Sequence, residues 1–132
     1  MSVTPLFDEI QRNLPGSSDW QGSFYEQLTE HGLWSMGEFW KLHLCLVETA
    51  HSFRFKPVAR NQALAVVTLQ GKIMNLVAAH YDQNDAFFIR NLAPNELHAF
   101  VERFQHAVLS VFSGEVIPEA SYDIVNPLIV HA

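Results

Sequence analysis

The chain has 132 residues, of which 48% are hydrophobic and 17% are charged. This balance predicts one folded globular domain and excludes a disordered chain. Eight lysines and arginines against 14 aspartates and glutamates give a net charge of −6. That charge disfavours nucleic-acid binding, because phosphate recognition needs clustered basic side chains.

Several features constrain the cellular location. Cys45 is the only cysteine, so an internal disulfide is impossible and a reducing compartment is favoured. Residues 1–13 contain acids where a signal peptide requires an apolar core. Uncharged apolar runs are shorter than the roughly 18 residues of a membrane-spanning helix. We therefore expect a soluble cytoplasmic protein that does not bind a membrane.

Charge falls into three blocks along the chain. Residues 1–48 hold seven acids and two bases, residues 49–81 hold four bases and no acid, and residues 82–132 hold seven acids and two bases. The acidic blocks favour a basic protein partner through electrostatic complementarity. Ordinary solubility is the alternative explanation for such a surface.

Two short helices are predicted first. Thr4 is suited to cap the first helix, Pro5 to open it and Pro15-Gly16 to end it. Its apolar face would consist of Leu6, Ile10 and Leu14. Ser17, Ser18 and Asp19 are candidate caps of the second helix. Because Gly22 weakens the first turn, the alternative start is Ser23, which can form a capping box with Glu26. Its apolar stripe would consist of Trp20, Phe24 and Leu28.

A tight corner follows, within a dense aromatic stretch from Trp20 to Phe53. Gly32 stands where the end of a helix needs a residue with positive φ, and Leu33 is the apolar partner of such a cap. Ser35 and Glu38 then form the capping box of the third helix, with the Glu38 side chain reaching back to the cap.

The third helix is predicted from Met36 to about Ser52. Its apolar residues cover more than half of its circumference, so we expect contacts from several sides. The remaining polar strip consists of Glu38, Lys41, Cys45 and Glu48. His43, and farther along His80, fall on apolar arcs and are predicted to be buried neutral imidazoles with one good hydrogen bond each.

Residues 58–81 are predicted to form one long, largely buried helix that begins after Pro57. Good helix formers dominate the segment, and its apolar residues recur with helical spacing. The alternative is a β-hairpin in which residues 65–69 pair with residues 72–76 across Gln70-Gly71.

The fifth helix should begin at Pro94, after a polar loop at residues 82–85, and end at Ser113-Gly114. Its apolar face would consist of Leu97, Phe100, Val101, Phe104, Val108, Val111 and Phe112. Its polar face would consist of His98, Glu102, Arg103, Gln105 and His106. The tail should dock on the helices through Ile124, Val125, Leu128, Ile129 and Val130. The predicted fold class is all-α: a single compact domain, residues 1–132, of about five helices with an extended C-terminal segment docked on it.

Catalytic and metal-binding patterns are weak. The sequence lacks a phosphate-binding glycine loop, a nucleophile elbow and zinc-ligand spacing, so we expect neither an enzyme nor a cofactor. Glu48 and His51 share the i, i+3 spacing used in carboxylate-bridged di-iron bundles. An alternative function is therefore a small metal-binding helical protein or metal-dependent enzyme that uses Glu48 and His51, with His80 or Asp82 as a further ligand.

Part of the aromatic stretch resembles a known family. The residues that carry the resemblance are Trp20, Gly22, Ser23, Phe24, Gln27, Leu28, Glu30, Gly32 and Trp34, followed by Glu38, Phe39, Trp40 and Leu42. This pattern is similar to small bacterial immunity proteins of polymorphic-toxin and contact-dependent growth-inhibition systems, each of which binds and neutralises a cognate toxin domain. The resemblance covers residues 15–50 and implies an inhibitor without catalytic residues.

We accordingly predict a protein that neutralises a cognate toxin domain by stoichiometric binding. Many nuclease toxins are basic because they hold phosphate, so an acidic inhibitor would be complementary. The expected contacts are exposed acids on loops and the tail, which can vary without disturbing a core: Asp82, Asp85, Glu115, Glu119 and Asp123. A second alternative is a homodimeric structural or regulatory protein whose aromatic stretch forms the subunit interface.

Overall fold

The computed structural model describes the backbone of residues 5–129 and the side chains of residues 8–129. Over this range the protein is all-α, as predicted. Its five helices are α1 (Pro5–Arg12), α2 (Phe24–His31), α3 (Met36–Phe53), α4 (Arg60–Tyr81) and α5 (Pro94–Ser113). One short 3₁₀ turn, Glu119–Ser121, interrupts the tail. The predicted cap at Thr4, the Leu6 side chain and Val130 lie outside the described residues.

The helix α3 is the centre of the fold. The helix α5 packs along it most extensively, α1 covers another side, and α2 touches it at the corner. Nine of its 18 residues are buried, which agrees with its wide apolar arc. The polar strip was predicted wrongly at Cys45, which is only 4% exposed, because the backbone of α1 at Ile10 lies against the thiol.

The aromatic stretch forms the middle of the core. Phe24, Trp34 and Phe39 are completely buried, and their ring centroids lie 4.8 to 5.5 Å apart. Phe100 of α5 joins them edge-on, 5.3 Å from Phe39. Such aromatic pairs add about 0.5–1.5 kcal/mol each beyond the area that they bury. The rings of Phe24, Trp34 and Phe39 face inward and are not available to a subunit interface, whereas Trp20 and Phe53 of the same stretch are half-buried.

The corner has the predicted geometry. Gly32 adopts φ 66°, its N–H donates to Leu28 O at 3.0 Å, and the N–H of Leu33 donates to Gln27 O at 3.2 Å. A Cβ atom on Gly32 would lie 2.6 Å from the carbonyl oxygen of Phe88. Glycine is therefore required at this position both by the positive φ and by the close approach of another segment.

The capping boxes form only in part. Ser35 Oγ accepts from the N–H of Glu38 at 3.3 Å, and Ser23 Oγ accepts from that of Glu26 at 3.2 Å. The glutamates do not reach back as predicted. Glu38 instead binds Arg12 at 2.6 Å, and Glu26 accepts from the N–H of Gly22 at 3.1 Å. Arg12, the last residue of α1, thereby ties that helix to the start of α3.

The helix α4 is continuous, so the hairpin alternative is wrong. Its predicted burial is also wrong, because its buried residues are only Ala65, Val66, Leu69, Ile73 and Val77. Leu64 is 66% exposed and Val67 is 52% exposed. By length and composition alone α4 could cross a membrane, a property that a core helix of a soluble protein can share.

The fifth helix begins and ends where the sequence predicts, and Gly114 closes it with φ 76°. Leu97, Phe100, Phe104, Val108 and Val111 are buried on its apolar face. Two assignments were wrong. Phe112 is 44% exposed, and Arg103, placed on the polar face, is 2% exposed. Arg103 is buried because the tail folds across that face of the helix.

Candidate protein-binding surface

Four of the five acids predicted to bind a partner are exposed: Asp82, Asp85, Glu115 and Asp123. Asp82 and Asp85 lie in the loop after α4, where their carboxylates accept from the backbone N–H groups of Asn84 and Phe87, both at 2.9 Å. Glu115 and Asp123 lie in the tail, and the structure does not bring all four acids together. Glu115 follows Gly114, which lies against Arg54 at the end of α3. The loop of Asp82 and Asp85 leads instead to Asn91, which bonds to Trp34 just before α3 begins. The ion pairs formed among residues 5–129 involve other residues, so these four charges remain available to a partner.

Glu119 was predicted wrongly as an exposed contact. It is 4% exposed, and its carboxylate lies 2.5 Å from Nη2 of Arg103. The 3₁₀ turn at Glu119–Ser121 directs this side chain inward against α5. Two opposite charges can be buried together because each satisfies the other, and neither can be buried alone at acceptable cost.

Arg103 holds the tail through several further contacts. Its Nη1 donates to the carbonyl oxygen of Ile124 at 2.6 Å. Its guanidinium lies over the ring of Tyr122, 3.8 Å from the centroid, and also faces Trp40 at 5.6 Å. A planar guanidinium can donate in the plane and stack on rings above and below it, which suits Arg103 to this position.

Asn126 connects the same group to α3. It is completely buried, and its N–H donates to the second carboxylate oxygen of Glu119 at 2.7 Å. Its side-chain amide donates to Trp40 O at 3.0 Å and lies 2.9 Å from Nδ1 of His43. We call Arg103, Glu119, Asn126 and His43 the tail clamp, because together they fasten the tail to α3 and α5.

The clamp shifts the pKa values of two of its members. Burial by itself would raise the pKa of Glu119, but hydrogen bonds from Arg103 and from the Asn126 backbone outweigh it and hold that pKa below 4.5. Burial, and then the positive charge of Arg103, lower the pKa of His43 to about 4. Nε2 of His43 also lies 3.1 Å from Nη2 of Arg103, a donor that disfavours a protonated ring. His43 is therefore buried and neutral, as predicted.

The clamp has no room for a substrate. The cavity beside it, bordered by His43, His106 and Tyr122, has a volume of about 10 Å³, which is the space of a single water molecule. His106 Nδ1 and the Tyr122 hydroxyl, which both line the cavity, lie 2.7 Å apart. Glu119 and His43 both belong to the tail clamp: the carboxylate binds Arg103 and the N–H of Asn126, and the imidazole lies against the Asn126 amide.

Other candidates for chemistry are poorly placed for it. Burial raises the pKa of the Cys45 thiol to about 11, so the thiolate needed for nucleophilic attack is rare at neutral pH. Glu48 and His51 are both exposed on α3. Within the described chain, no group of three or more histidine, cysteine or acidic side chains could hold a metal ion. His80 is half-buried, and its Nδ1 accepts from the N–H of Ile89 at 2.9 Å.

A polar hollow of about 420 Å³ lies between α1 and the segment before α2. Its exposed acids are Asp8 and Asp19, and Glu9 and Arg12 also line it. Arg12 binds Glu9 at 3.1 Å and Glu38 at 2.6 Å, so an internal base already balances much of the negative charge. The hollow is therefore a second acidic area, in which Asp8 and Asp19 form no ion pair within the described residues.

An apolar groove between α4 and α5 escaped sequence reasoning. Its volume is about 420 Å³, and Val67, Leu109 and Phe112 line it with 52%, 64% and 44% of their surfaces exposed. Gln70 and Gln105, 2.7 Å apart, bridge the two helices beside it. The signal was present as apolar residues on all sides of α4, which was interpreted as burial inside the chain.

The loop between α3 and α4 also presents an aromatic ring that sequence reasoning did not single out. Phe55 is 93% exposed and adopts φ 66°, a conformation that is uncommon for a residue with a side chain. The guanidinium of Arg54 lies 4.8 Å from the centroid of this ring. An exposed aromatic side chain of this kind can anchor a protein contact.

Comparison with known proteins found no match: no family model, no curated protein sequence and no solved structure matches the chain. Function is therefore inferred from the surface itself and from the resemblance carried by residues 15–50.

Proposed function

We propose that this protein is a non-enzymatic binding protein that neutralises a cognate, basic toxin domain by forming a stoichiometric complex. The observation that carries the proposal is the set of exposed, internally unpaired acids on the segments that follow α4 and α5. The resemblance of residues 15–50 to bacterial immunity proteins supports the same function.

The scaffold is suited to this role. Its acids lie on a loop and on a tail, and both segments are held at fixed positions by internal hydrogen bonds. Acids held in place lose little conformational freedom on binding, which favours affinity. Negative charge steers a basic partner toward the surface and raises the association rate more than it slows dissociation.

The enclosed clamp and the protonated Cys45 thiol support a protein that acts by binding. The charged pair Arg103–Glu119 lies inside the protein, and its cavity admits about one water. We therefore assign the clamp to stability and the exposed acids Asp82, Asp85, Glu115 and Asp123 to recognition.

The test begins with the adjacent reading frame, where we expect a large secreted protein whose C-terminal domain is the toxin. Wild-type protein should bind this domain with one-to-one stoichiometry by isothermal titration calorimetry, inhibit its activity, and bind more weakly as salt rises. The triple variant D85K/E115K/D123K should associate at least about tenfold more slowly in stopped-flow measurements, because three steering charges are reversed.

The matched control is Glu48→Lys, which reverses an exposed acid on α3 and should leave the association rate within about twofold. Binding that is insensitive to salt and to the triple variant would place recognition on another face. If the neighbouring domain is strongly acidic, or if it does not bind, the proposed function is wrong.

A further inference from the structure

Between its two ends, the outward face of α4 lacks the exposed charged residues that usually face solvent. Its exposed residues at helical spacing are Arg60, Leu64, Val67, Gly71, Asn75, Ala78 and, at the C-terminal cap, Asp82. They recur every three or four residues and so form one stripe along the helix. We call these seven residues the α4 stripe. Charge occurs only at its two ends, and the signs there are opposite.

The middle of the stripe is unfavourable for a chain that stays monomeric, because apolar side chains remain in contact with water there. Leu64 is 66% exposed and Val67 is 52% exposed, although an amphipathic helix normally presents polar residues on its outer face. Gly71 destabilises a helix interior by about 1 kcal/mol relative to alanine. Outside the helix's own backbone, no atom of the described residues lies within 4 Å of where its Cβ would be, so packing among these residues gives no reason for glycine.

From this pattern we infer that the α4 stripe is a homodimer interface, in which α4 of a second copy runs antiparallel to the first and crosses it at Gly71. Residues equally far from Gly71 on its two sides then face each other across a two-fold axis. Leu64 lies opposite Ala78 of the second copy, and Val67 lies opposite Asn75. The glycine allows the two helices to approach closely, and each large side chain meets a smaller one.

Charge complementarity selects a second copy as the occupant. In this register Arg60, at the N-terminal end of one stripe, lies opposite Asp82 at the C-terminal end of the other. The two-fold axis repeats the pair, so each dimer gains two. A parallel arrangement would place like charges together, and like charges in contact are unfavourable.

The apolar groove continues the same surface. Val67 belongs to the stripe and also lines the groove, together with Leu109 and Phe112 of α5. A second helix on the stripe would therefore also cover side chains of α5, which enlarges the area removed from water. Large apolar patches of this kind mark contact surfaces on otherwise soluble chains.

A lipid bilayer is less suited to the stripe than a second copy. The opposite face of α4 is committed to the core through Val66, Leu69 and Ile73, so the helix cannot enter a bilayer without unfolding the domain. A helix lying on a membrane surface would typically carry basic residues along its polar edges. Here Lys72, half-buried beside Gly71, is the single base along the middle of α4, and Arg60 and Asp82 stand at the ends of the stripe, where the antiparallel pairing uses them.

The inference goes beyond the proposed function and does not depend on it. Dimerisation takes Asp82 into the subunit contact and leaves Asp85, Glu115 and Asp123 for a toxin. For this reason Asp82 is unchanged in the triple variant described above.

Sedimentation velocity of the full chain over a range of concentrations is the primary test, and a reversible dimer is expected. Leu64→Glu and Val67→Glu alter exposed positions, so the fold should persist by circular dichroism while the dimer dissociation constant rises at least about a hundredfold. A wild-type chain that remains monomeric at all concentrations overturns the inference. Monomeric protein that sediments with phosphatidylcholine–phosphatidylglycerol vesicles would assign the stripe to a membrane instead.

The register has its own test. Arg60→Asp and Asp82→Arg should each raise the dimer dissociation constant about tenfold, because each places like charges together twice per dimer. The double variant R60D/D82R reverses both partners and should return the constant to near the wild-type value. If the double variant dimerises more weakly than either single variant, the antiparallel register is wrong.

Cross-linking locates the axis. Gly71→Cys should form an intermolecular disulfide under mild oxidation, since a residue on a two-fold axis meets its own copy. Glu102→Cys is the control, because it places a thiol at an exposed position on α5, away from the proposed axis. The native Cys45 is buried and should not react. Equal cross-linking of the two variants overturns the placement.

Discussion

The tail clamp and the α4 stripe differ in where their polar and apolar residues lie: the clamp buries polar residues, and the stripe exposes apolar ones. The clamp encloses an arginine, a glutamate, an asparagine and a histidine that are each at most 4% exposed. The stripe presents leucine, valine, glycine and alanine to solvent. A charged group inside is tolerated because each of its partners is inside as well, whereas the exposed leucine and valine of the stripe are left uncovered by the described residues.

The difference separates residues that stabilise the fold from residues available for association. Buried charges bonded to one another cannot recognise anything else, so the clamp belongs to the architecture. Exposed apolar residues lose nothing when a second surface covers them, and they gain the free energy of leaving water. The three predictions that follow test this separation, beginning with the largest expected effect.

The same substitution should have very different effects in the two regions. Arg103→Met leaves Glu119 as an unpaired buried charge and should lower the free energy of unfolding by about 3–5 kcal/mol. Arg60→Met removes an exposed arginine from the α4 stripe and should change it by less than about 0.5 kcal/mol. Urea denaturation in dilute solution measures both values.

The double variant R103M/E119Q removes both charges and should recover part of the lost stability, since neither charge is then left alone. Equal costs for Arg103→Met and Arg60→Met would contradict the distinction between the two regions.

Acid should weaken the clamp in two steps. The pKa of His43 is about 4 in the folded protein, against 6.5 for an ordinary histidine. The unfolded chain therefore takes up a proton first, and stability falls as pH decreases from 6.5 toward 4. The lowered pKa of Glu119 adds a further loss below pH 4.5. Between about pH 7.5 and pH 4.5 the free energy of unfolding should decrease by about 2–3 kcal/mol because of His43.

Chemical denaturation at several pH values gives this curve. His43→Gln should flatten it above pH 4.5, whereas His98→Gln, at an exposed position on α5, should leave it unchanged. A wild-type curve that is flat from pH 7 to pH 5 would show that His43 is not held neutral by burial.

Replacing each of two glycines by alanine should have the smallest effects on stability, and the two effects should have opposite signs. Gly32→Ala places a Cβ 2.6 Å from Phe88 O at positive φ, so it should lower the thermal midpoint and cost about 2 kcal/mol. Gly71→Ala meets no atom within 4 Å and should stabilise the monomer by up to about 1 kcal/mol. Differential scanning calorimetry in dilute solution compares them. A destabilising Gly71→Ala would imply an internal constraint on α4.

Sequence reasoning predicted what is local. All five helices, the corner at Gly32 and the closure at Gly114 follow from spacing, caps and glycine positions within a few residues of each other. The continuity of α4 also followed from its composition. These features depend on contacts between near neighbours, which hydrophobic periodicity and capping preferences describe directly.

The residues that sequence reasoning placed wrongly are those whose exposure depends on a segment far away in the sequence. Arg103 looked solvated because its helical face is polar, yet Glu119 and Ile124, 16 and 21 residues farther on, cover it. Cys45 looked polar until α1 packed over it. The error at α4 was the opposite one, because residues predicted to be buried are exposed. An apolar face predicts burial, but the sequence does not show whether another segment packs against that face.

The exposure of the five acids proposed as partner contacts was predicted in part. Four of them are exposed as expected, because loops and tails generally face solvent. Glu119 failed for a reason that the sequence could not display. A carboxylate in a tail is exposed by default, and only the three-dimensional position of a buried arginine can reverse that default.

The bond from Asn126 to the carbonyl oxygen of Trp40 spans 86 residues of chain. Because the chain is synthesised from its N-terminus onward, this contact is among the last that can form. Trp40 cannot meet Asn126 until most of the chain has been made. Until then Arg103 has no carboxylate partner from the tail and must remain in water. We therefore expect the helices to associate early through their aromatic core and the tail to lock them late, so that folding ends with the closure of one long loop.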